Sequence, residues 1–184
     1  MTLKEMKKKV LALIEELNPN SALLTDDPDI STKINDVINQ IMFELARMKK
    51  IPKYVEFGVS EGDLVDFSVI ERECGYAAYQ VNMVSGVLNS PKASGTVYKI
   101  LESGTACVDF FVYPEAITEN TNDNYEFELS NDALEIMPYG VAADLLKSDI
   151  SAQYGTIYAN RYENMVQRLD PRYTTTSIYI ESGF

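Results

Sequence analysis

Glu71 and Glu73, and again Glu126 and Glu128, stand two residues apart in stretches whose residue types favour strands. On extended backbone that spacing sends both carboxylates of a pair to one face. Paired carboxylates are the working groups of glycosidases, one as acid and one as base or nucleophile. That chemistry needs them across a cleft, roughly 5–10 Å apart on either side of a sugar. Tyr125, Phe127 and Leu129 alternate with Glu126 and Glu128, so this pair reads as the wet face of a half-buried strand. Asp26, Asp27 and Asp29 are dense enough to suggest calcium. They lack the alternating oxygen ligands, the turn glycine and the distal glutamate of a calcium loop. Asp27-Pro28 instead reads as a helix start, with an acidic cap and a proline in the first turn.

The remaining reactive chemistry is sparse. The chain has no histidine, which removes the commonest general base and the commonest transition-metal ligand. Cys74 and Cys107 lack the spacing of a redox or zinc pair and are expected as free thiols. No phosphate-binding glycine loop, nucleophile elbow or zinc-protease motif occurs. The expectation is a protein that is not an enzyme, with no catalytic, cofactor-binding or metal residues and no cofactor.

Net charge is −12, and nine of those twelve excess negative charges fall in residues 53–129. Such a surface repels phosphate and argues against tight binding of nucleic acid by this region. Lys7, Lys8 and Lys9 lie on an amphipathic helix and read as a solvated face. No apolar run approaches the ~20 residues that span a bilayer, so no membrane association is expected. The start, MTLKEMKKKV, lacks the pattern of a secretion signal and is expected to begin a helix.

These residues must be positioned by elements legible in the hydrophobic period. Thr2 and Glu5 have capping-box spacing, and Leu3, Met6, Val10, Leu13, Ile14 and Leu17 form the stripe of a first helix ending at Asn18-Pro19. Ile30, Ile34, Val37, Ile38, Ile41, Leu45 and Met48 form that of a second. From Tyr54 the period falls to two. Strands are expected at Tyr54–Phe57, Leu64–Ile70, Tyr76–Val84, Thr96–Leu101, Ala106–Tyr113 and Tyr125–Leu129, with Leu88–Lys92 a loop. Glu102-Ser103-Gly104-Thr105 reads as a hairpin loop between the fourth and fifth. The helical period then returns. Ser130-Asn131-Asp132 offers a cap, and Pro138 either kinks the third helix or sits in its first turn. Ser148-Asp149 can cap a fourth helix, whose stripe is Ile150, Tyr154, Ile157, Tyr158, Met165 and Leu169. Asp170-Pro171 stops it.

The expected fold is therefore α+β. It is a four-helix bundle of residues 1–52 and 130–170, with an antiparallel β-sandwich or barrel domain, residues 53–129, inserted between the second and third helices, and an extended C-terminal arm, residues 171–184. The arm carries Arg172, Tyr173, Ile178, Tyr179, Ile180 and Phe184, too apolar a set for a segment left in water. These six are the candidate partner-binding residues, pairing with a sheet edge of the chain itself or with a neighbour's surface.

Leu134–Leu169, above all PYGVAADLLKSDISAQYGTIYANRYENMV, resembles the paired C-terminal helices of the head–tail connector, or adaptor, proteins of tailed bacteriophages. PDISTKINDVINQIMFELARM resembles an earlier helix of that family more loosely. Together the two stretches cover about a third of the chain, and the β insertion departs from the minimal helical adaptors. The resemblance implies a structural virion protein at the head–tail junction, made in the host cytoplasm. It implies a homo-oligomeric ring of about twelve copies, bound to the portal protein above and to a stopper or tail protein below. DNA would pass through it without specific binding. The alternatives are a carbohydrate- or receptor-binding module using the β domain, another collar or tail-completion protein, and, least favoured, an acidic hydrolase.

Overall fold

A computed structural model describes residues 1–92, 97–148 and 153–169. The order is α1 (Leu3–Leu13), α2 (Pro28–Met48), β1 (Ile51–Val59), β2 (Leu64–Val65), α3 (Phe67–Cys74), β3 (Ala78–Ser85), β4 (Asn89–Pro91), β5 (Tyr98–Ile100), β6 (Gly104–Val112), α4 (Asn131–Leu145) and α5 (Gln153–Leu169), with a 3₁₀ turn at Leu146–Ser148. The α+β class matches the expectation, but the four-helix bundle with an inserted sandwich or barrel does not. The described residues form five helices and two small three-stranded antiparallel sheets, in the orders β1-β6-β3 and β2-β5-β4.

Local chemistry explains where the elements begin and stop. The Thr2 backbone N–H donates to Glu5 at 2.9 Å, and the Glu5 N–H donates to the Thr2 hydroxyl at 3.2 Å, closing the capping box of α1. The helix stops a turn sooner than its apolar stripe. Glu15 takes a left-handed φ of 63°, and the Glu16 N–H reaches back to the Leu11 carbonyl at 2.9 Å. This is a Schellman closure with glutamate where glycine is usual, which hid it from the sequence. The Asp27 carboxylate accepts the Asp29 and Ile30 N–H groups and starts α2.

Capping also overturns the strand expected at Leu64–Ile70. Only Leu64–Val65 is extended. The Asp66 carboxylate then accepts the Ser68 and Val69 N–H groups at 3.0 and 3.1 Å, and Gly75, with φ 72°, closes the resulting α3. A cap at one end and a left-handed glycine at the other outweigh a β-branched run of middling strand propensity. Glu71 and Glu73 are accordingly on a helix, where a two-residue spacing turns them apart.

α4 is apolar almost all round, with Ala133, Leu134, Ile136, Met137, Pro138, Gly140, Val141 and Ala142 buried. Such a helix must be covered on several sides, and α1, α2 and α5 cover it. Pro138 lies inside α4 and removes one ladder bond, the one that the Leu134 carbonyl would accept. Tyr125, Phe127 and Leu129 pack into this helical cluster and not onto a sheet. Their stretch forms one isolated bridge, Thr2 to Glu126, in place of the expected strand. The Asn39 side chain fastens the returning chain to α2, donating to the Ile117 carbonyl and accepting its N–H, both at 2.7 Å.

A second cluster gathers Val65, Ile70, Val81, Val84, Ile100, Ala106, Val108, Phe110 and Val112 between the two sheets and α3. The expected hairpin around Gly104 does not form. β5 pairs with β2 and β4, while β6 is the centre of the other sheet. Residues 101–103 thus pass between sheets. Gly86, just after β3, lets the chain lie close against the start of β6: at φ 83° its Cβ position would lie 2.7 Å from the Thr105 carbonyl oxygen, so only glycine fits. Leu88–Lys92, expected as a loop, contains β4.

Candidate interaction surfaces

α4 and α5 form an antiparallel pair, with Leu146 beside Gly155 and Gly140 beside Tyr162. At Gly140 the helices come so close that a Cβ would meet the Tyr162 ring at 2.8 Å and Ile41 of α2 at 3.1 Å. Small residues in Tyr139–Ala143 are what let three helices converge here. The Tyr162 hydroxyl is buried without a hydrogen-bond partner. Burial first, and the Glu44 carboxylate second, hold its pKa above the ordinary tyrosine value. An open groove of about 540 Å³ runs beside it between α2, α4 and α5, with Glu44, Asp144, Lys147 and Glu163 among its lining. Lys147 pairs with Asp144 at 3.5 Å.

α5 divides its apolar residues between two sides. Tyr158, Tyr162, Met165, Val166 and Leu169 turn toward the helical cluster, and the Tyr158 hydroxyl donates to the Leu13 carbonyl at 2.7 Å. Tyr154 and Ile157, expected on the same buried stripe, are instead 59% and 56% exposed. Arg161 stacks over Tyr139 at 4.2 Å.

The outer face of the sheet β1-β6-β3 carries the second surface. Register places Tyr54, Asp109 and Met83 in one row across it, and Pro52, Phe111 and Gln80 in the next. Tyr54 and Met83 are exposed. The Tyr54 hydroxyl donates to the Glu56 carboxylate, and the Cys107 thiol lies 3.8 Å from the same group. Hydrogen bonding with Cys107, then with Glu56, raises the Tyr54 pKa. Toward α2 the face becomes aromatic and basic. Lys50 lies 4.8 Å over Phe111, Arg47 hydrogen-bonds the Tyr113 hydroxyl, and the Tyr79 hydroxyl donates to the Ala46 carbonyl at 3.2 Å. This junction unites residues far apart in the chain, and no local pattern announces it.

The candidate chemical groups disperse. Glu126 and Glu128 are exposed, and Glu128 pairs with Lys53 at 3.3 Å. Asp27 caps α2, Asp26 accepts from Asn18, and Asp29 faces Lys33. Among the described residues no group of three acidic, cysteine or histidine side chains could hold a metal ion. Cys74 and Cys107 are both free, and burial, then Glu73, pushes the Cys74 thiol up. Among the described residues no helix is long and apolar enough to cross a membrane. Arg172, Tyr173, Ile178, Tyr179, Ile180 and Phe184, with the capping residue Asp149, lie outside the described residues.

One ion pair ties the α2 end to the α4 start. Lys49 and Asp132 meet at 2.7 Å, and the hydrogen bond from Lys49, then that with Ser130, lowers the Asp132 pKa from 3.8 to about 2. A depressed carboxyl pKa stabilises the fold above the unfolded value and ceases to do so as pH falls from about 4 through about 2. Asp132 is half exposed, so solvent screening leaves about 0.5–1 kcal/mol. Asp132→Asn should lose that much at pH 7 and show a shallower acid limb in urea titrations between pH 4 and 2. An unchanged acid limb would remove the pair from the stability of this junction.

Comparison with protein-family models finds no match, and no curated protein matches the sequence.

Proposed function

We propose that this chain is a structural virion protein, a head–tail connector that assembles as a homo-oligomeric ring between the portal and the downstream stopper or tail protein. The observation that carries the reading is the state of α5. The helix in the stretch that resembles connector proteins is packed on one side only and leaves Tyr154 and Ile157 exposed on the other. Apolar groups of that size, one turn apart, suit a neighbouring subunit better than water. The other two helices that carry the resemblance, α2 and α4, lie against each other and against α5 as an interlocked unit. The acidic excess in residues 53–129 fits a passage along which DNA moves without adhering.

Native mass measurement of the full chain, alone and with portal, tests this directly. A closed ring, or assembly on adding portal, is the expected outcome. A monomer under both conditions at tens of micromolar would overturn the reading. Tyr154→Glu with Ile157→Glu should abolish assembly and leave the melting temperature within about 2 °C, since both side chains are already in water.

A further inference from the structure

The sheet β1-β6-β3 has two edges, and the chain treats them differently. β3 is blunted. Its pairing with β6 slips between Ala78 and Gln80 and again between Val81 and Met83. On the same strand the Tyr98 hydroxyl donates to the Asn82 carbonyl at 2.8 Å, and the Asn89 amide donates to the Val84 carbonyl at 2.9 Å. Bulges and side-chain caps of this kind stop an edge from recruiting another strand. β1 has neither. It runs nine residues in unbroken register with β6, from Ile51 opposite Val112 to Val59 opposite Gly104. Among the described residues no other backbone hydrogen bond reaches it. Pro52, which has no N–H, and Lys53 interrupt the edge at its start, and Glu56 is the one other charged residue along it. Along Lys53–Val59 the N–H and C=O groups that turn away from β6 have no backbone partner among the described residues.

We propose that β1 receives the C-terminal arm of a second copy of this chain, added as an antiparallel strand. The inference rests on the self-assembly proposed above and names its contact. The fifteen residues after Leu169 include Thr174-Thr175-Thr176-Ser177-Ile178-Tyr179-Ile180, a run of β-branched and aromatic residues long enough to match Lys53–Val59. The copy's own arm is badly placed for the task. Because α5 runs antiparallel to α4, Leu169 returns to the end where α4 begins. There Asp132 holds Lys49, two residues before β1. An arm that entered at β1 directly from that end would have to pair in the parallel sense, in a sheet whose described pairs are all antiparallel. Reversing it would mean first spanning the nine residues of β1, about 30 Å, which uses most of the arm. An arm from a neighbouring copy has no such constraint and can enter antiparallel.

The test uses the full chain with Cys74→Ser and Cys107→Ser. Copies bearing Glu56→Cys are mixed with isotope-labelled copies bearing Thr175→Cys, Thr176→Cys or Ser177→Cys in turn, and disulfide formation between the two populations is timed by mass. At one of the three positions it should be at least tenfold faster than in a control with Lys33→Cys in place of Glu56→Cys. Fast bridging only within a single chain that carries both cysteines would overturn the proposal and place the arm on its own sheet. Control-rate bridging in a sample whose native mass is a ring would remove β1 as the receptor while leaving the connector reading intact. Fast bridging between copies in a sample that stops at a dimer would support the contact and overturn the ring.

Discussion

Gly140→Leu is expected to destabilise the protein by about 2–3 kcal/mol and to lower its melting temperature by roughly 4–12 °C. The glycine lies where α2, α4 and α5 converge, and even a Cβ there would press on the Tyr162 ring at 2.8 Å and on Ile41 at 3.1 Å. Leucine would restore about 1 kcal/mol of helix propensity, but that gain is smaller than the cost of forcing α5 away from α4. The displacement falls on the helix pair proposed to mediate assembly, so ring formation should weaken more than stability alone requires. Tyr162→Phe supplies the control. It keeps the ring that occupies the site and removes a buried hydroxyl that has no partner, so it should be neutral or stabilising by up to about 1 kcal/mol. Denaturant titration of both variants checks the pair. A Gly140→Leu protein as stable as the parent would mean that α5 is not held against α4 at this crossing.

Phe110→Ala should cost more, about 3–5 kcal/mol. Phe110 is fully buried on β6, the central strand of its sheet, with the Tyr76 ring 5.7 Å away, and belongs to the cluster between the sheets. Truncation leaves a void that two short sheets cannot collapse into, because β6 is bonded on both sides. Amide hydrogen exchange would separate local from global effects. Protection should fall across β1, β3 and β6 while the buried amides of α4 hold. Equal loss in α4 would mean that the two clusters open as one cooperative unit through the junction of Arg47, Tyr79 and Tyr113.

The sequence by itself determined the elements whose causes are local. The Thr2–Glu5 box, the Asp27 cap before Pro28 and the apolar stripe of α2 each involve groups within a few residues of one another and appear where the pattern puts them, while the strand expected from Tyr54 begins three residues earlier, at Ile51. The absence of histidine and of nucleophile motifs is likewise a property of the chain alone. What only the tertiary structure decided are choices among partners. Alternation at Tyr125–Leu129 marks a buried side but not what buries it, and the helices provide the cover in place of a sheet. Hydrophobic period places Tyr154 and Ile157 on the stripe of α5, yet α4 is covered by α1 and α2 as well and leaves them no room. Glu102–Thr105 has hairpin composition, but β6 finds longer partners in β1 and β3. Residue type marks which side chains gain from burial, whereas which of them find cover and which strands pair is set by competition between segments distant in sequence, and that competition is resolved only when all of them pack at once.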